Sequence, residues 1–236
     1  MALDESRHLV AQVLDAVAVE RIARAAAAGG ADLLDIACDP ELVALVRTAC
    51  PELPICVSAV DPELFPAAVA AGATLVEIGN FDSFYPQGIV FGAEDVLELT
   101  RRTRALLPEV VLSVTVPHVL PLDQQADLAV ALEAAGADLI QTEGGTSARP
   151  FSAGSLGLIE KAAPTLAAAH SISRAVTVPV LCASGLSAVT VPMAMAAGAA
   201  GVGVGSAVNK LGDELAMVAV VRSLREALGS AVRAAD

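Results

Sequence analysis

The chain has few cations and few aromatic side chains. Its 236 residues include 14 lysines and arginines against 27 aspartates and glutamates, a formal net charge of −13, and aromatic residues make up 3%. Nucleic acids and anionic membrane surfaces attract basic patches, so this balance argues against both as partners. It does not exclude small anionic ligands, because a local nest of backbone N–H groups can outweigh the global charge.

The sequence also lacks long apolar runs and closely spaced cysteines. No run approaches the roughly 20 apolar residues of a membrane-spanning helix, and the first residues have neither a signal-peptide nor a transit-peptide pattern. We therefore expect a cytoplasmic protein. The four cysteines, Cys38, Cys50, Cys56 and Cys182, include no pair with metal-ligand spacing, which predicts free thiols in a reducing compartment and no metal site.

One phrase recurs four times along the chain: small residues, then Gly-Ala, then a short apolar run. Its copies lie at Gly30-Ala31, Gly72-Ala73, Gly136-Ala137 and Gly198-Ala199. Apolar runs marked by proline lie between these copies, so two kinds of strand alternate. Because the length is also close to the usual ~250 residues, the pattern predicts an α/β fold, a single (β/α)8 TIM barrel across residues 1–236.

In such a barrel the carboxyl ends of the strands form one face, here called the C-terminal face, where active sites lie. The eight strands are predicted at residues 10–14, 33–37, 55–59, 75–79, 110–116, 139–143, 180–183 and 201–205. Asp39 and Asp61, each followed by proline, and Asp123 are predicted helix N-caps. Asp32 and Asp138 precede their strands, at the opposite face, and we interpret them as structural.

Successive strand residues alternate between the barrel interior and the surrounding helices. Aligning the four copies on their glycines places Asp35, Glu77 and Gln141 in a middle interior layer, and Glu143 one layer nearer the C-terminal face. The remaining strands are predicted to add inward Cys56, Ser58, Ser113, Thr115, Cys182 and Ser184. Since a buried carboxylate without partners is costly, these groups must pair, meet water or meet a ligand. Asp35 and Glu77 suit either a structural network or a catalytic role, whereas the position of Glu143 favours catalysis.

Glycine-containing turns follow the last two predicted strands. Ser184 and Gly185 come after the seventh strand, and Gly205 and Ser206 come after the eighth. In TIM barrels these two loops frequently form a phosphate site, which is our prediction here. Tight turns with close packing are the alternative interpretation.

Other residues near the C-terminal face could also bind an anion. Gly144-Gly145 after the sixth strand is a candidate backbone nest, and Lys210 follows the eighth strand closely enough to reach an anion. Lys210 and Lys161 are the only lysines, and neither lies in a predicted strand. Their positions argue against the strand-borne Schiff-base lysine of class I aldolases.

His118 follows the fifth predicted strand and is a candidate general acid or base, although a histidine in a loop is common without such a role. The loop at residues 80–92 is long enough to act as a lid. Its polar residues are Asn80, Asp82, Tyr85 and Gln87.

Eight stretches between residues 31 and 211 carry a resemblance to a known family. They are DIACDPELV, CVSAV, EIGNFDSFY, LSVTVPH with LPLDQQ, IQTEGGTS, LGLIEKAAPTLAAA, VLCASGLS and GVGVGSAVNKL. The chain resembles an uncharacterised family of chloroplast and cyanobacterial open reading frames. The resemblance implies a barrel related to phosphate-binding and flavin-linked barrels, in the stroma for plastid members.

A second similarity concerns the last three strands. IQTEGG followed by VPVLCASGLS and GVGVGSA is similar to the arrangement in nitronate monooxygenase-like flavoenzymes. That likeness implies FMN, with its phosphate on the loops after the seventh and eighth strands. The histidine expected after the sixth strand in those enzymes is absent from residues 144–156.

Three functions therefore remain open, each with a small phosphorylated molecule as ligand. They are an FMN-linked oxidoreductase, a cofactor-free isomerase, aldolase or lyase acting on a sugar phosphate, and a non-catalytic barrel that senses or stores a phosphorylated metabolite. In either enzyme Glu143 and His118 would exchange protons, with Glu77 and Asp35 tuning them from below. The mean hydropathy of +0.65 with few charges predicts a homo-oligomer that covers apolar surface.

Overall fold

Each Gly-Ala phrase leads into a strand of one parallel sheet. The computed structural model describes residues 16–144 and 148–233. The strands are β1 (Leu34–Ala37), β2 (Ile55–Ala59), β3 (Leu75–Ile78), β4 (Val111–Val116), β5 (Leu139–Thr142), β6 (Val180–Ala183) and β7 (Gly201–Gly203). They are parallel and lie side by side in chain order. This is the predicted α/β barrel topology; the strand predicted at residues 10–14 lies outside the described residues.

Helices alternate with these strands. They are α1 (Ala16–Gly29), α2 (Pro40–Ala49), α3 (Phe65–Ala70), α4 (Ala93–Leu106), α5 (Leu122–Ala134), α6 (Gly154–Ile172), α7 (Val191–Ala196), α8 (Ser206–Asn209) and α9 (Glu214–Arg233). Short 3-10 turns span Pro62–Leu64, Phe81–Ser83 and Tyr85–Gln87. Within the described ranges, no helix has the length and apolarity that crossing a membrane requires.

Two of the three predicted N-caps are confirmed. Asp39 accepts a hydrogen bond from the backbone N–H of Glu41 at 2.8 Å, and Asp61 does the same for Glu63 at 3.2 Å. Asp123 is not a cap, because extended Pro121 precedes the helix and starts α5 at Leu122. Asp123 therefore lies within the first turn.

The recurring Gly-Ala phrase is a helix stop. Its glycines have φ between +88° and +114°, the left-handed region where a side chain would be strained. The alanine that follows donates its N–H to a carbonyl five residues back, as Ala137 does to Leu132 at 2.9 Å. This pairing is the Schellman arrangement that ends a helix and turns the chain toward the next strand.

Strand residues divide between the helices and the barrel interior as the alternation predicts. Ile36, Val57, Val76, Val114 and Ile140 are buried in the core beneath the helices. Their strand neighbours form the polar interior described below.

Cys182 is an exception to the predicted inward set. It is in register with Val202 rather than with inward Gly201 and Gly203. Its thiol packs among small residues of the helix layer and lies 3.6 Å from the hydroxyl of Thr165. The prediction of an inward Cys182 is therefore wrong, and Leu181 and Ala183 take the inward positions.

Candidate active site

Three side chains from different loops meet at the C-terminal face. Glu143 directly follows β5, His118 follows β4, and Tyr85 lies in the loop after β3. Oε1 of Glu143 accepts from the Tyr85 hydroxyl at 2.5 Å and from the His118 backbone N–H at 3.0 Å. His118 Nδ1 lies 2.9 Å from the same oxygen. The structure thus brings together the two residues predicted to exchange protons and adds a tyrosine to them.

The two carboxylate oxygens of Glu143 differ sharply. Oε1 has three partners, whereas Oε2 is buried and has no hydrogen-bond partner among the described residues. A buried polar atom without a partner costs about 1–3 kcal/mol. Oε2 is therefore an acceptor that a bound ligand could satisfy.

The contact with Glu143 also determines what His118 can offer. Paired with an ionised carboxylate, which only accepts hydrogen bonds, the ring would donate from Nδ1 and leave Nε2 for proton transfer. The imidazole ring is mostly buried, and the Tyr85 ring packs edge-on against it at 5.2 Å between centroids. This is the base-and-orienter arrangement found in many enzymes that move protons.

Tyr85 acts as a permanent donor in this cluster. Burial, reinforced by its hydrogen bond to Glu143 and by the charge of that residue, raises the pKa of Tyr85 above its usual range. The hydroxyl therefore keeps its proton. The sequence predicts Tyr85 only as part of a lid, and no sequence signal pairs it with Glu143.

The predicted middle layer exists and is tightly hydrogen-bonded. Oε1 of Glu77 accepts from Thr115 at 2.8 Å and from Gln141 at 2.7 Å. Asp35 accepts from Ser58 at 2.6 Å. A Cβ at Gly79 would lie 2.2 Å from Glu77 Oε1, so this glycine leaves the space that the carboxyl group occupies.

Burial shifts both interior acids toward their protonated forms. It raises the pKa of Glu77 to about 8, with the charges of Asp35 and Glu143 adding to the effect. Burial likewise raises the pKa of Asp35 to about 6, against the hydrogen bond from Ser58. Asp35 is exposed on the outermost described strand whereas Glu77 is buried, so Glu77 is the more firmly protonated of the two.

Residues of the predicted phosphate site lie at the same face. Ser184 and Gly185 follow β6 with consecutive left-handed φ values of 75° and 76°. A non-glycine residue in this region costs about 1–3 kcal/mol, and such strain clusters at functional sites. Gly205 precedes Ser206, the first residue of α8, and a Cβ added there would meet nothing closer than 4.0 Å.

The other predicted anion contacts are only partly described. Gly144 follows Glu143 with φ +135°, and Gly145 lies outside the described residues. Lys210 closes α8, after Ser206. Phosphate binding by all these residues stays a prediction.

The parallel sheet in chain order, with acids and a histidine at the carboxyl ends of its strands, defines an α/β protein of the TIM-barrel class. The chain belongs to the family described as "Protein of unknown function (DUF561)", whose sequence model matches residues 11–233. It is 46% identical over 206 residues to the uncharacterized protein ycf23 of Cyanophora paradoxa, covering 87% of this chain and 84% of that protein. For ycf23 of Porphyra purpurea, the identity is 35% over 212 residues, with 90% and 80% covered. These matches confirm the predicted family.

Solved structures with the same fold match at low sequence identity. Thiamine phosphate pyrophosphorylase from Pyrococcus furiosus aligns with a TM-score of 0.60 at 17% identity, covering 93% of this chain and 91% of that one. A structure titled as native KDPGal gives 0.64 at 15%, covering 93% and 92%. 3-Hexulose-6-phosphate synthase gives 0.60 at 19%, covering 89% and 94%. At these identities the likeness establishes the barrel fold alone.

Proposed function

We propose that this protein is an enzyme that moves a proton on a small phosphorylated hydroxycarbonyl compound, in the isomerase, aldolase or lyase class. The observation that carries the proposal is the Glu143 carboxylate, which holds His118 through one oxygen and leaves the other buried without a described partner. Names of the structural neighbours add support, since two of the three described above specify phosphorylated compounds.

In this proposal His118 Nε2 takes a proton from the carbon next to the substrate carbonyl. The electron pair of the broken C–H bond moves into an enediol or enolate, and the imidazolium, whose proton exchanges with solvent, returns a proton to carbon or oxygen. Glu143 orients the ring and stabilises its positive charge. Tyr85 holds the carboxylate in place, and Oε2 accepts a hydrogen bond from a substrate hydroxyl.

The phosphate group would lie on the turns after β6 and β7. Ser184, Gly185, Gly205 and Ser206 are close to these strand ends, and Lys210 could add charge. Backbone N–H groups and hydroxyls can bind phosphate in a protein of net charge −13 because their field is local. Glu77 and Asp35, one layer below, would then support Glu143 and not touch substrate.

The site chemistry supports a flavin less well. Reduced flavin accumulates negative charge, which proteins tune with the charges they place near the ring. Here the strand ends carry Glu77 and Glu143, and no lysine or arginine forms an ion pair with either in the described part of the chain. A flavin-free absorption spectrum, unchanged after addition of FMN and gel filtration, is the expected result.

The direct test is solvent exchange of carbon-bound protons. The protein is incubated in D2O separately with ribulose 5-phosphate, fructose 6-phosphate and dihydroxyacetone phosphate, and loss of the α-proton signal is followed by NMR. We expect exchange with at least one of them and none with unphosphorylated dihydroxyacetone. Glu109→Gln, on the exposed turn before β4, is the matched control for variants of Glu143 and His118. With this variant, substrate protons should exchange as with the wild type.

The remaining outcomes discriminate between the functions. Calorimetric binding of a sugar phosphate without exchange would contradict the enzyme and support a non-catalytic metabolite-binding barrel. Retained FMN would instead favour an oxidoreductase. Free thiols at all four cysteines fit the proposed reducing compartment, and light scattering would measure the proposed homo-oligomer.

A further inference from the structure

A second cluster of chemically active groups lies inside the barrel, one layer below Glu143. Asp35 of β1, Cys56 of β2 and Glu77 of β3 come from three adjacent strands and face the same interior. One ligand atom from each, two carboxylate oxygens and the thiol sulfur, lies within 4.8 Å of the other two. These residues are far apart in sequence, so cysteine spacing alone could not show the cluster.

Ser113 supplies an independent observation on the strand next to Glu77. It lies on β4 in register with Glu77, so its side chain points to the same side of the sheet, into the barrel. The residue is 1% exposed, and its hydroxyl oxygen has no hydrogen-bond partner within the described residues. A buried hydroxyl without a partner is costly, and a cation beside Glu77 would give this oxygen a partner.

The donor set narrows the choice of cation. Calcium and magnesium prefer oxygen ligands throughout, whereas a thiolate combined with carboxylates suits zinc and similar divalent metals. Ligands of a tetrahedral zinc lie about 3.3–3.8 Å apart, given bond lengths of about 2.0–2.3 Å. Starting from separations within 4.8 Å, small side-chain rotations would bring the three atoms together.

We propose that Asp35, Cys56 and Glu77 bind one divalent transition metal of the zinc class inside the barrel, with the Ser113 hydroxyl as a fourth ligand. Binding releases the thiol proton and any proton on the carboxyls to solvent. The existing donors, Ser58 to Asp35 and Thr115 and Gln141 to Glu77, then orient the carboxylates as outer-shell partners. The proposal rests on residues other than Glu143 and His118, which carry the proposed proton transfer.

Cobalt is the sharpest probe, because thiolate ligation gives a near-ultraviolet charge-transfer band and tetrahedral geometry gives strong visible bands. Protein stripped of metal with a chelator is titrated with Co2+ and then with Zn2+. We expect one equivalent of Co2+ to bind with both features and Zn2+ to displace it. Cys56→Ser should abolish the charge-transfer band. Cys182→Ser, a buried strand thiol that faces the helices, should keep it.

The oxygen ligands are tested by affinity. Asp35→Asn and Glu77→Gln should each weaken Zn2+ binding at least ~10-fold, with circular dichroism showing that the variants fold. Ser113→Ala should also weaken Zn2+ binding while raising the stability of the metal-free protein, because it removes an unpaired buried hydroxyl. That opposite pair of effects is not expected from a purely structural serine.

Three results would overturn the proposal. One is the absence of stoichiometric Co2+ or Zn2+ uptake by the folded wild type. Another is an unchanged cobalt spectrum in Cys56→Ser, and the third is unchanged Zn2+ affinity in both carboxyl variants. None of these results bears on proton exchange, so the two proposals can fail separately.

Discussion

Acidic side chains have different kinds of partner at the two ends of the barrel. At the amino ends of the strands, Arg104 contacts Asp138 at 2.6 Å, and Arg225 pairs with Asp32. Arg104 also donates to the backbone carbonyls of Leu107, Pro108, Val110 and Gly136. At the carboxyl ends, the buried acid Glu143 has a histidine and a tyrosine as partners and, among the residues that the structure describes, no arginine.

This difference indicates that residues at the amino ends stabilise the fold, whereas residues at the carboxyl ends form the candidate site. Arginines at the amino ends satisfy exposed acids and the carbonyls left by the Gly-Ala helix stops, which fixes the turns into the strands. At the carboxyl ends, the backbone is left-handed at Ser184 and Asn80. There, Oε2 of Glu143 has no hydrogen-bond partner among the described residues. We therefore expect substitutions at one end to change the free energy of unfolding and those at the other to change the rate.

The largest effect should come from His118→Asn and Glu143→Gln. Removing the base or the carboxylate that orients it should lower α-proton exchange by ~10²-fold or more. The urea midpoint should move little, since neither residue anchors a helix. A loss of stability large enough to explain the lost rate would contradict the separation.

Next is Arg104→Ala, which removes an arginine shared by Asp138 and four backbone carbonyls. We expect the free energy of unfolding to fall by about 2–4 kcal/mol, measured by urea denaturation, with exchange kinetics retained. Arg101→Ala on the same helix is the matched control. Its contact with Glu94 is exposed and 3.5 Å long, so it should cost less than about 1 kcal/mol.

Glu77→Gln tests the interior layer between the two ends. The folded state keeps the Glu77 proton up to a pKa of about 8, against about 4.3 in an unfolded chain. Between these values the folded state binds more protons than the unfolded state, so stability falls as the pH rises. The variant should be more stable than the wild type at pH 8, by on the order of 1–3 kcal/mol, and lose that advantage at pH 5.

Urea unfolding of metal-free protein at both pH values measures this difference. Glu109→Gln, which replaces an exposed glutamate, should leave the dependence of stability on pH unchanged. An equally steep fall in the stability of Glu77→Gln between pH 5 and 8 would rule out this origin of the slope.

Tyr85→Phe should give the smallest effect. It removes one hydrogen bond to Glu143 while His118 keeps its two contacts, so we expect a loss of about 10-fold in exchange rate. Stability should change by less than about 1 kcal/mol. A rate equal to that of the wild type would show that Tyr85 does not position the carboxylate.

The sequence predicted most of the fold because the repeat has a local cause. A glycine in the left-handed region followed by alanine ends a helix through bonds within a few residues, so the next strand could be located to within two residues. The period of two then placed Asp35, Glu77 and Gln141 on one interior face. For the same reason, Glu143 could be placed one layer higher.

The orientation of Cys182 and the contact of Tyr85 with Glu143 could not be predicted, because no short sequence motif fixes either of them. The strands between the Gly-Ala copies lack that motif. Only their prolines relate them to one another, and alignment of Pro54 with Pro179 matches Leu181, and not Cys182, to inward Cys56. The contact of Tyr85 with Glu143 depends on how a loop folds back over the sheet. Such contacts join residues 58 positions apart and leave no periodic trace.

The Tyr85 hydroxyl that contacts Glu143 gives the protein a built-in optical reporter. The chain has no tryptophan and a single tyrosine, so all of its phenolic and indole emission originates at this contact. A carboxylate that accepts a hydrogen bond from an excited phenol quenches the fluorescence of that phenol. Any ligand that draws Glu143 away from Tyr85 therefore changes the emission. Unlabelled protein can therefore report, through intrinsic fluorescence alone, which small molecules enter the site.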